Sequence, residues 1–150
     1  MSDNGFVITN KSPLRLPAAL RAYLLAAGMR QGALAEKVGM DQAALCALEQ
    51  GRRSAPDGAR IAAIAAALCL GPSDLMALQR WAQHDRLVAH LIKEGMEGAI
   101  PLVSQALQCV WHLSARQQAT VCGQLARHVD AVTHAVALGG ASPQHEEETM

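Results

Sequence analysis

Aromatic residues are scarce in this 150-residue chain: two tryptophans, one tyrosine and one phenylalanine make up 3% of it. Runs alternating β-branched with aromatic residues, the usual signature of strands, are nearly absent as well. Charge is sparse at 17% and sums to zero, which argues against a general nucleic-acid coat. No stretch reaches the roughly 18 apolar residues of a membrane span; the run from Ile61 to Leu70 is too short. The N-terminus lacks the charged-then-apolar order of a signal peptide. Cys46, Cys69, Cys109 and Cys122 form no Cys-x-x-Cys pair. Each sits in an apolar helical context, which fits buried reduced thiols of a cytoplasmic protein better than disulfides or a zinc site. No Gly-rich phosphate loop, carboxylate pair or nucleophile motif occurs, so neither an enzyme nor a cofactor is expected. What remains is Ala, Leu and Val within a 51% apolar composition, and Ala and Leu are strong helix formers. The expectation is a soluble all-α protein.

Gly and Pro punctuate the chain into short helices. Pro17 opens a first helix that stops at Gly28, and Gln31 to Val38 forms a second, ended by Gly39 at positive φ. Asp41 caps a third helix to about Gln50, closed by Gly51. A loop, Arg52 to Pro56, leads to a fourth from about Asp57 to Leu68, with Ile61, Ile64, Ala65 and Leu68 on one face. Gly71-Pro72 breaks the chain before a fifth helix from Ser73 or Asp74. Helical spacing continues through Leu75, Leu78, Trp81 and Ala82 and resumes after Asp85 with Leu87, Val88, Leu91 and Ile92. Lys93 to Gly98 reads as a turn, Pro101 begins another helix, and Ser114-Ala-Arg-Gln117 matches a capping box that opens the last one, ending at Gly139-Gly140.

The segment Leu20-Arg21-x6-Gly28-Met29-Arg30-Gln31-x2-Leu34-Ala35-Glu36-Lys37-Val38-Gly39-Met40 leads into Leu45-x2-Leu48-Glu49-x-Gly51-Arg52-Arg53. A small residue at Ala35 lets two helices cross closely, Gly39 makes the tight turn between them, and Leu34, Val38, Leu45 and Leu48 fill the space beneath. This stretch, about residues 16–75, resembles the Cro-like (XRE) helix-turn-helix family of phage-repressor type. The resemblance implies a five-helix domain over 13–79, double-stranded DNA as partner, and transcriptional regulation. It also implies that the third helix enters the major groove. By position it assigns base edges to Gln42, Ala43, Cys46 and Ala47. Gln31 falls to a phosphate, and Arg30, Arg52 and Arg53 to the DNA backbone. The third helix, Asp41 to Gln50, contains no Lys or Arg. Gln42 can pair bidentately with adenine, and Ala43 or Ala47 can lie against a thymine methyl.

Charge distribution fits that reading. Residues 11–70 carry eight positive charges against Glu36, Asp41, Glu49 and Asp57, whereas residues 71–150 carry five positive and eight negative. Residues 1–12 read as a loose arm, 80–140 as a helical oligomerisation or effector region, and 141–150 as a disordered acidic tail. Within 80–140, Val121, Leu125, Val129, Val132 and Val136 form an apolar stripe, with Trp111 just before it. A hairpin with the helix from Pro101 would bury part of the stripe. The helix from Ser114 is nearly twice as long, which leaves the rest for another subunit, most simply in a homodimer on a palindromic operator. An antitoxin or anti-repressor, which masks a partner protein with these helices, is the alternative. Cys122, His128 and His134 cannot converge on one metal ion, because six residues rotate about 240° around a helix. Asp130 and His134 share a solvated face instead, and no metal site is expected.

Overall fold

The computed structural model of the chain describes residues 12–140; the expected arm at 1–12, apart from Ser12, and the acidic tail at 141–150 lie outside the described residues. Every regular element among them is helical: α1 (Leu16–Ala26), α2 (Gln31–Val38), α3 (Gln42–Glu49), α4 (Gly58–Ala67), α5 (Pro72–Lys93), α6 (Ile100–His112) and α7 (Ala115–Gly139), with a 3-10 turn at Glu97–Ala99. None is long and apolar enough to cross a membrane. The helices fall into two units, one ending at Ser104 and one beginning at Gln105.

In the first unit, leucines at i, i+4 and i+8 (Leu16, Leu20, Leu24) give α1 one buried edge. That edge packs with Leu34 and Ala35 of α2, Leu45 and Leu48 of α3, Ile61, Ile64 and Ala65 of α4, and Leu78 and Ala82 of α5. Local chemistry sets the helix ends. Gly39 takes φ +65°, and Met40 N–H closes α2 by donating to the Ala35 carbonyl at 2.9 Å. The Asp41 carboxylate accepts from Ala44 N–H and Asp57 from Arg60 N–H, capping α3 and α4. At the end of α4 the left-handed position falls to Cys69, at φ +55°. A side chain there costs about 1 kcal/mol that glycine would not. Tyr23 O–H donates to Asp74 at 2.9 Å, tying α1 to the first turn of α5. Burial, then that hydrogen bond, then the negative charge push the Tyr23 pKa up, which keeps the hydroxyl a donor.

The fifth helix differs from the sequence reading. It runs unbroken for 22 residues, so the boundary expected between 79 and 80 falls inside it. Asp85, which interrupts the apolar spacing, points inward and is only 3% exposed. The capping residue of α1, Arg15, offers no side-chain cap of its own. Asp85 supplies the missing acceptors instead: Oδ1 accepts from Arg15 N–H and Oδ2 from Leu16 N–H, both at 2.8 Å. His84, also buried, bridges Asp85 Oδ1 at 2.9 Å and the Ser104 hydroxyl at 2.8 Å. The residue that looks like a break in α5 is therefore a cap for α1.

In the second unit α7 opens with the expected capping box, Ser114 and Gln117 bonding reciprocally. Gln118 donates to the carbonyls of Val110 and Leu113, which fixes the turn from α6. No residue of α7 is buried. Val121 is half-buried, but Leu125 is 42% exposed and Val136 70%, so among the described residues most of the stripe is uncovered.

Candidate nucleic-acid interface

α2 and α3 are joined by Gly39, Met40 and Asp41 alone, and they pack on each other through Leu34, Ala35, Leu45 and Leu48. This fixes both first turns. Gln42 and Ala43 are exposed on the first turn of α3, while Cys46 and Ala47, a turn later, are half-buried. Gln42 leans back over α2: a Cβ added at Gly32 would stand 3.3 Å from its Oε1. Glycine at 32 thus leaves room for the Gln42 amide beside the start of α2. Cys46 Sγ accepts from Gln50 Nε2 at 3.4 Å, so the thiol is engaged within its own helix.

The start of α2 carries no side-chain cap, leaving its first N–H groups for an outside acceptor, with the exposed Arg30 at the capping position. Gln31 stands next to it and donates one amide hydrogen to Glu49 Oε2 at 2.8 Å. That bond uses one of its two amide hydrogens. Glu49 Oε1 is buried and has no partner among the described residues. Arg21 donates to the Glu49 main-chain carbonyl at 2.9 Å, placing a cation at the C-terminus of α3.

Beyond α3, Gly51 takes φ +70° and would bring a Cβ within 3.2 Å of Leu14. The turn carries Arg52 and Arg53, both exposed. Arg52 Nε donates to Gln50 at 2.9 Å, which holds the guanidinium at the end of α3. Arg53 lines a groove of about 580 Å³ with Met40, Ala44, Ser54 and Arg60. Arg30, Gln31 and Gln42 therefore gather at the start of α2 and α3, and Arg52 stands at the far end of α3. Arg21, at the end of α3, and Arg60, in the groove with Arg53, add two further cations near α3; the motif includes Arg21 without giving it a role, and Arg60 reads as an ordinary helix cation.

Residues 15–78 match the family model of a helix-turn-helix domain. No curated protein and no solved structure matches the chain. The helix-turn-helix match covers α1 to α4 and ends inside α5, before Asp85. Helix-turn-helix domains are DNA-binding modules that present their second helix to the duplex, and such a domain supports a role in transcription regulation. The His84–Asp85–Ser104 chain lies outside the match. Its order of partners is that of a nucleophilic relay, but here both carboxylate oxygens hold the first N–H groups of α1.

Proposed function

We propose that the protein is a sequence-specific transcriptional regulator of Cro-like (XRE) type that binds a palindromic operator as a homodimer. The observation that carries this reading is the convergence of Arg30, Gln31 and Gln42 at the paired first turns of a helix-turn-helix, with Arg52 and Arg53 just past α3. In this reading α3 lies in the major groove, Gln42 and Ala43 lead the base contacts, Cys46 and Ala47 follow, and the four flanking residues hold phosphates. Base contacts this poor in donors discriminate weakly alone, so two copies one DNA turn apart are needed.

The α7 stripe, with Trp111 at its head, supplies the second contact surface. Full burial of a Val or Leu contributes about 1.5–3 kcal/mol. Five such residues on each of two helices, half-buried to 70% exposed in one copy, amount to on the order of 10 kcal/mol. Association costs roughly 4–15 kcal/mol, so the pairing is of moderate strength. One observation favours a second reading, an antitoxin or anti-repressor: α3 has no Lys or Arg.

Binding to operator and random DNA across a salt series separates the two readings. A regulator binds, with a steep salt dependence and a preference for its operator. No binding even at low salt would favour the protein-interaction module. Arg52→Ala with Arg53→Ala is expected to weaken binding to all sequences alike and to reduce the salt slope by about one to two phosphate equivalents per copy. An unchanged slope would remove both arginines from the interface. Gln42→Ala is expected to relax preference at one base pair of each half-site, costing about 1–3 kcal/mol. Equal losses on operator and random DNA would show that Gln42 reads no base.

A further inference from the structure

α7 divides sharply around its axis. At 100° per residue, Val121, Leu125, Val129, Val132 and Val136 span a sector of about 80°. Arg116, Arg127, Asp130 and His134 lie roughly 140° or more from its midline, and all four are exposed. His128 does not join them. It stands about 20° from Val121 and about 40° from Val132, on the apolar side of the helix. Its neighbours one turn away, Gln124, Leu125, Ala131 and Val132, are all uncharged. No residue of α7 is buried, so within the chain His128 meets solvent.

Such a face fits a second copy of itself. Two identical stripes meet without opposing any charge, because every Lys, Arg, Asp or Glu of α7 is on the far side, and the lipid-like or acidic partners that a basic rim would recruit find none. We propose that α7 pairs with α7 of a second copy and that His128 makes this pairing sensitive to pH. The inference rests on the dimer reading above. In the paired state each stripe is flanked, about 60° from its midline, by the His128 imidazole on one edge and the Cys122 thiol on the other, and of the two only the imidazole becomes a cation on protonation. A charged imidazole withdrawn from water without a counter-charge is unfavourable. Each must therefore shed its proton for the stripes to close, and histidine is the side chain that changes charge between pH 5 and 8. Acidification releases the dimer, and with it the operator.

Sedimentation equilibrium of the full chain between pH 5.5 and 7.5, at fixed ionic strength, tests this. The dimer dissociation constant is expected to rise on acidification towards a limiting slope of two protons per dimer, about a hundred-fold per pH unit in the acid limb. His128→Leu should dimerise more tightly with a flat pH profile, whereas His134→Gln, on the opposite face, should keep the wild-type profile. Circular dichroism of each variant confirms that α7 stays helical. A wild-type dimer without pH dependence, or a dependence that survives His128→Leu, overturns the inference and leaves the dimer standing. A wild-type chain that is monomeric at every pH overturns both.

Discussion

Asp85→Ala is expected to destabilise the helix-turn-helix unit by about 3–5 kcal/mol, because it removes the acceptors of two main-chain N–H groups and the partner of a buried histidine. Arg15 and Leu16 N–H would face a space that no other described side chain serves, and His84 would keep only Ser104. A unit of this size has about 5–15 kcal/mol in total, so the loss is a large share. It corresponds to a fall in Tm of roughly 15 °C or more. Asp85→Asn, which keeps one side-chain oxygen, should recover part of it. The outcome to look for is thermal unfolding followed by circular dichroism, with DNA binding measured below each variant's Tm. An Asp85→Ala protein melting within about 3 °C of wild type would mean that the clamp contributes little and that water replaces the carboxylate.

The clamp also explains what sequence reading reaches in this chain. The ends of α2, α3, α4 and α7 were legible because their determinants are local: Gly39 at positive φ, and Asp41, Asp57 and Ser114 each within three residues of the N–H they accept from. The unbroken run of α5 through Asp85 was not. Asp85 serves an N–H 70 positions away, and a buried carboxylate in an apolar pattern looks like a polar interruption until that partner is placed. His84 was hidden for the same reason. The candidate interface was legible in part. Arg30, Gln31, Gln42, Arg52 and Arg53 follow from position in the motif, but the lean of Gln42 over Gly32 and the partial burial of Cys46 and Ala47 depend on how α3 crosses α2. Arg21 stands in the motif but is given no role by it, and Arg60 carries no motif signal. Only the packed helices bring Arg21 to the Glu49 carbonyl and Arg60 into the groove with Arg53.

Replacing Leu125 and Val132 together by Glu is expected to give the other large effect, on operator binding rather than on the fold of the DNA-binding unit. Both side chains are exposed in a single copy, at 42% and 49%, so the change leaves no cavity in the chain. Across a dimer it would set four carboxylates against apolar neighbours, a cost that a pairing of moderate strength cannot absorb. Linked half-sites gain from effective concentration, about 10²–10⁴-fold over one site alone. Operator affinity should therefore fall by that factor and the salt slope by about half, while binding to an isolated half-site stays unchanged. A chain ending after Ser104 should behave like the double variant, since it retains α1 to α5 with Asp85, His84 and Ser104 in place. One ending at Gln79 should not fold, because it discards Ala82, Asp85, Val88 and Leu91 from the buried side of α5. Light scattering and operator titration decide the matter together. A double variant that remains dimeric, or one that becomes monomeric yet binds the operator as tightly as wild type, would break the link drawn between the α7 stripe and recognition of two half-sites.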